Sequence, residues 1–132
     1  MDNDVLRGTE HVFLNVESIG TSALDPGRDL LFLPGFADSL RVWDDLRAHI
    51  QGEWPWQRAY FLDLKGFGLS SKRRRRSDCR MHEQARLVQS FILERGLRRP
   101  VLVGHSYGAA VALMTQVLWE EFDPSAANPV VG

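Results

Sequence analysis

Apolar positions in this chain gather into short continuous runs separated by amphipathic stretches. Leu30 to Leu33, "LLFL", is one such run, and Pro34-Gly35 closes it. Four apolar residues in succession suit a strand buried on both faces. Ala59 to Leu64, "AYFLDL", repeats the pattern and ends at Gly66-Phe67-Gly68; Pro100 to Val103 repeats it again. Between these runs the spacing becomes helical. Ser39 offers an N-cap for a helix over about Leu40 to Ile50, with Val42, Trp43, Leu46 and Ile50 on one side. Met81 to Arg95 reads as a second helix, carrying Ala85, Val88, Phe91 and Ile92 before a stop at Gly96. Ala109 to Trp119 has no Gly or Pro and reads as a third. Upstream, His11 to Val16 is a first strand, and Thr21 to Leu24 is at most a weak second one beside the turn residues Asp25-Pro26-Gly27. Strand–helix alternation of this kind predicts an α/β fold with an open, mostly parallel sheet.

The junction between the last strand and the last helix carries a candidate for chemistry. Gly104-His105-Ser106-Tyr107-Gly108 must turn a strand into a helix within five residues. Ser106 lies at the apex of that turn, where the backbone is strained and the hydroxyl is pushed out of the sheet. Gly104 and Gly108, without Cβ atoms, let strand and helix approach closely. Read blandly, the same stretch is a glycine-rich turn with an incidental serine.

Composition narrows the reading by exclusion. At 132 residues the chain is one domain at most, and 1–132 is read as part of one; its net charge of −1 gives no global field for nucleic acid or membrane. A single cysteine, Cys79, excludes an internal disulfide and any multi-cysteine metal site. No cofactor or metal is expected. No apolar run is long enough for a membrane span, and the acidic opening "MDNDVLRGTEHVF" lacks the basic start and long apolar core of an export signal, so a cytoplasmic location is expected. The block "KRRRR", Lys72 to Arg76, has no interleaved aromatic residue to stack on bases and reads as a solvated loop.

Three segments, in order, resemble the serine α/β-hydrolase superfamily. "LLFLPGFADSLRVWDDL" is similar to the family's third strand, oxyanion loop and first helix, although Pro34 stands where the family most often has His. "FLDLKGFGLSS" is similar to its Asp-x-x-Gly-x-Gly-x-Ser segment. "LVGHSYGAAVAL" is similar to its G-x-S-x-G nucleophile elbow. The resemblance covers roughly Leu30 to Leu118 and implies the N-terminal part of an α/β-hydrolase fold: strands one to five, the start of a sixth at "NPVVG", and helices A to C. It also implies that the third strand lies between the fourth and fifth, so that a crevice opens at their carboxyl ends.

On that resemblance Ser106 is the nucleophile. The backbone N–H groups of Phe36, just after Gly35, and of Tyr107 are the oxyanion donors, each worth about 3–4 kcal/mol in the transition state. The fold's chain order is Ser, then acid, then His. Here His11, His49, His82 and His105 all precede Ser106, and the acids after it, Glu120, Glu121 and Asp123, fall at the end of the elbow helix. Acid and base are therefore missing from the expected positions. The expectation is the N-terminal portion of an esterase-, lipase- or thioesterase-like enzyme acting on a small ester-like substrate, inactive alone, with another chain supplying missing strands as a possible partner. The alternative is a non-catalytic relative that binds a ligand or persists as a degenerate product. Ser rather than Asp at the apex speaks against epoxide-hydrolase and dehalogenase chemistry.

Overall fold

The computed structural model describes residues 4–7, 10–20, 28–55, 57–72 and 75–122. An antiparallel hairpin comes first, made of β1 (Asp4–Arg7) and β2 (Glu10–Phe13). Then β3 (Val16–Ile19), β4 (Leu30–Leu33), β5 (Ala59–Leu62) and β6 (Val101–Gly104) build a second sheet in the order β3-β5-β4-β6. β4 runs parallel to both its neighbours and β3 runs antiparallel to β5. The helices are α1 (Asp44–Glu53), α2 (Met81–Arg95) and α3 (Tyr107–Phe122). The strand expected between two others, Leu30–Leu33, does lie between β5 and β6.

The apolar run of β4 is buried on both faces because its side chains alternate between two cores. Leu31 and Leu33 join Leu87, Val88, Phe91 and Ile92 of α2 and Val111 of α3. Phe32 points the other way, into a cluster with Leu40, Ile50 and Phe61. Its ring stacks on that of Phe61 at 4.8 Å between centroids. The sheet is thus sandwiched between α1 on one side and α2 with α3 on the other.

Besides strand β1, which the sequence reading did not expect, four details differ from it. His11 to Val16 is not one strand: β2 ends at Phe13 and β3 opens at Val16. At the break, Ser71 Oγ accepts from the Phe13 amide (2.9 Å) and Ser70 Oγ from the Asn15 amide (2.8 Å), so serine side chains replace ladder partners. The stretch Leu40–Trp43 is a 3-10 turn that precedes α1, capped as expected by Ser39, whose Oγ accepts from the Arg41 amide. Three residues per turn eclipse positions i and i+3. Leu40 and Trp43 therefore point inward, while Val42 and Leu46 are exposed. Third, β6 is half-exposed rather than buried, because among the described residues it is the sheet's edge and pairs with β4 alone. Fourth, α3 starts at Tyr107, two residues before the expected start. The weak strand at Thr21 to Leu24 lies outside the described residues.

The amino ends of the three parallel strands are tied together by one carboxylate. Asp29, fully buried, accepts from Arg58 Nε (2.7 Å), Arg58 Nη2 (2.5 Å) and the Arg98 amide (2.6 Å). These residues stand just before β4, β5 and β6. In the basic block, Lys72, Arg75 and Arg76 are exposed, as expected of solvated charge, and Arg73 and Arg74 lie outside the described residues.

Candidate functional site

At the carboxyl end of β4 the chain passes through Pro34 and Gly35, both buried, into a tight turn. The Asp38 amide donates to the Gly35 carbonyl (3.1 Å), and Ala37 between them has φ of +62°. A positive φ at the third position is the geometry of a type II turn, normally filled by Gly or Asn. With Ala there, the turn carries strain of about 1–3 kcal/mol that its surroundings must hold in place. Phe36, the other central residue, is 56% exposed, and among the described residues its amide donates no hydrogen bond.

The second loop leaves β6. His105 extends the strand pairing by donating its amide to the Leu33 carbonyl (3.1 Å). Ser106 follows with φ of +55°, exposed to solvent, between the end of β6 and the start of α3. Its carbonyl accepts from the amides of Ala109 (2.9 Å) and Ala110 (3.2 Å), so the first turn of α3 closes onto the serine. The chain can fold this sharply because of the flanking glycines. A Cβ on Gly104 would lie 2.4 Å from the Ala109 nitrogen, and one on Gly108 would lie 2.2 Å from the Leu33 carbonyl oxygen. Those are atomic overlaps, so no larger residue fits either position without moving the backbone.

The two loops meet through aromatic rings. Phe36 stands edge-on to Tyr107 at 5.4 Å and to Phe67 at 4.9 Å. Gly35 also lies against the elbow: a Cβ there would be 3.3 Å from His105 Nδ1 and 3.2 Å from Asp38 Oδ2. Ser106, Tyr107, Phe36, Gly35, Gly104 and Gly108 thus gather at one end of the sheet, where β4 and β6 finish. The start of α3 faces the same place with the positive end of its dipole.

Among the described side chains, His49, His82 and His105 each have surroundings other than Ser106. His49 stands edge-on to Trp54 on α1, and His82 pairs with Glu83 at the start of α2. His105 packs against the Gly35 turn. Among the described residues no group of three His, Cys, Asp or Glu could hold a metal ion, and no helix is long and apolar enough to cross a membrane. A cavity of about 520 Å³ opens nearby, lined by Asn15, Glu17, Arg41, Asp63 and Leu69 but not by Ser106 or Phe36. Of its charged residues, Glu17 pairs with Arg41 and with Arg47, and the Asp63 carboxylate is taken up by neutral amide donors.

Sequence reasoning did not single out Phe67, Ala37 or Asp63. The Asp-x-x-Gly-x-Gly-x-Ser spacing pointed to the segment holding Phe67 and Asp63. It did not reveal what either residue touches.

The model of the alpha/beta hydrolase family matches residues 30–132. The chain belongs to that family. Among solved structures, an epoxide hydrolase from Vigna radiata superposes with a TM-score of 0.71 at 23% identity, covering 83% of this chain and 33% of that one. A thermophilic esterase from Thermogutta terrifontis gives 0.72 at 24% identity, covering 88% and 39%, and an esterase from Exiguobacterium antarcticum gives 0.72 at 20%, covering 89% and 40%. These likenesses establish the alpha/beta-hydrolase fold. The chain spans about a third to two fifths of the length of these structures. No curated protein matches it in sequence.

Proposed function

We propose that this chain carries the nucleophile and oxyanion half of a serine acyl hydrolase, with Ser106 attacking the carbonyl carbon of a small ester-like substrate. The observation that supports this best is Ser106 itself, exposed at φ of +55° between β6 and α3 in a member of the alpha/beta hydrolase family. A serine held in that region without a reason for exposure would be replaced by glycine at no structural cost.

In the proposed reaction the Ser106 Oγ–C bond forms as the carbonyl π electrons move onto oxygen, where the amides of Phe36 and Tyr107 stabilise them. Collapse of that intermediate breaks the bond to the alkoxide, which leaves with a proton, and water then releases the acid. The hydroxyl proton needs a base. The four histidines precede Ser106, so the base and the acid that orients it come from outside these 132 residues in a working enzyme. In a serine protease, loss of the base lowers turnover about 10⁶-fold. The isolated chain is accordingly expected to hydrolyse simple esters very weakly or not at all. A serine nucleophile favours acyl transfer over the epoxide opening of the Vigna radiata neighbour.

The test is labelling by a fluorophosphonate followed by peptide mapping. Slow modification confined to Ser106, and absent from Ser106→Ala, is the expected outcome. Modification spread over other serines at the same rate would leave Ser106 without special reactivity and remove the reading. Robust ester turnover by purified monomer, lost in Ser106→Ala, would show that a base is present in the chain after all.

A further inference from the structure

Asp63 is buried, follows β5 and has no part in the chemistry above. Three donors converge on its carboxylate. Oδ1 accepts from the Leu40 amide (2.7 Å), and Oδ2 accepts from the Leu69 amide (2.9 Å) and from Asn15 Nδ2 (3.0 Å). Its own backbone is tied as well: the amide donates to the Asn15 carbonyl (2.9 Å), and the carbonyl accepts from Ser70 Oγ (2.6 Å). We infer that Asp63 is the positioning residue of the oxyanion turn, holding both the exit of that turn and the loop that sets Phe67 against it. The inference rests on the role proposed for the Phe36 amide.

The turn at Gly35–Asp38 is strained at Ala37, φ +62°, so its shape depends on anchors at both ends. The entry is anchored by β4, whose last residue Leu33 accepts from the His105 amide. At the exit, the Leu40 amide is one of the donors a helix start leaves unpaired. Ser39 caps the next amide, that of Arg41, and the carboxylate of Asp63 takes Leu40. The other arm reaches Phe67. Leu69 is 76% exposed, so apolar burial does not hold its loop; its inward amide on Asp63 does. Gly68 wraps closely over the carboxylate, at φ of +54°, and a Cβ there would lie 2.2 Å from Asp63 Oδ2. The Phe67 ring carried by this loop is edge-on to Phe36. One carboxylate thereby fixes the turn bearing the proposed oxyanion donor and the ring that backs it.

The experiment uses the 132-residue chain, isotopically labelled, with NMR signals of Phe36, Ala37 and Leu40 as readouts. Asp63→Asn keeps the shape but turns an amide NH₂ towards a donor. It is expected to speed exchange of the Leu40 amide about tenfold, the loss of one net hydrogen bond, and to move the Phe36 amide and the left-handed carbon shifts of Ala37. Adding Ala37→Gly removes the strain that needs the anchor. In the double variant the Phe36 signals should return towards wild type while Leu40 still exchanges fast, a pattern that general loss of stability does not produce. If Asp63→Asn shifts Leu40 and Leu69 but leaves Phe36 and Ala37 in place, the inference fails. Should Asp63→Asn not fold, the double variant decides: folding restored by Ala37→Gly supports the anchor, and a chain still unfolded overturns it. Phe67→Leu gives the complementary control. If it alone erased the Ala37 signature, ring packing rather than Asp63 would be holding the turn. A Ser106 that takes no label would remove the catalytic reading and leave these results standing, so the two failures are separable.

Discussion

Replacing Asp29 by Asn tests the tie at the amino ends of the parallel strands. The substitution keeps size and shape, removes the charge and sets an NH₂ against the donors of Arg58 and the Arg98 amide. Breaking a buried ion pair from one side costs about 3–5 kcal/mol. Arg58 and Arg98 retain 21% and 37% of their side-chain surface and can rehydrate, which brings the expected loss just below that range, to about 2–3 kcal/mol. In a domain of this size that corresponds to a fall in Tm of roughly 6–12 °C. The pH dependence is the sharper part. Burial alone pushes the Asp29 carboxyl up, but the hydrogen bond from Arg58, the amide of Arg98 and the charges of both arginines outweigh it and hold it below its ordinary value. A folded-state value depressed below the unfolded one, about 3.9, gives stability that is present above roughly pH 4 and lost as pH falls through the folded value. Urea unfolding of wild type and Asp29→Asn, followed by circular dichroism from pH 7 down to pH 3, should show a full gap at neutral pH that closes towards acid. Equal stability at pH 7, or a gap that stays constant or widens on acidification, would refute the reasoning.

Three further outcomes are expected. Gly108→Ala drives a Cβ to 2.2 Å from the Leu33 carbonyl oxygen, whereas Gly52→Ala meets nothing within 4 Å. The first should lower stability by at least about 2 kcal/mol, and the second should raise it by about 0.5 kcal/mol, both read from thermal unfolding. Phe61→Ala removes a fully buried ring stacked on Phe32 and should cost about 3–5 kcal/mol, measured by the urea midpoint. Ser106→Gly relieves a positive φ on a non-glycine residue and should raise stability by about 1 kcal/mol while abolishing fluorophosphonate labelling; a loss of stability would mean that Ser106 is not strained.

Much of this protein was legible in one dimension because its signals are local. The four apolar residues of Leu30–Leu33 required burial on two faces, and a strand alternating between two cores is how the chain meets that requirement. Gly104 and Gly108 around Ser106 announced a sharp strand-to-helix turn, although only Gly104 answers to neighbours a few residues away, at Ala109; what excludes a side chain at Gly108 is the backbone of Leu33 and Pro34, distant in the chain. The spacing of three motifs placed the chain in its family before any coordinates. What sequence could not settle depended on partners distant in the chain. Val42 and Leu46 read as inward on a regular helix, yet a 3-10 turn before α1 left them exposed, and that turn persists because Leu40 bonds to Asp63, 23 residues away. The division of His11 to Val16 into two strands came from hydroxyls of Ser70 and Ser71, more than 50 positions downstream. Asp63 itself looked like one residue of a loop motif. A carboxylate can gather amides from three segments only when the fold has brought them within hydrogen-bond reach, and no periodicity in the chain encodes that meeting.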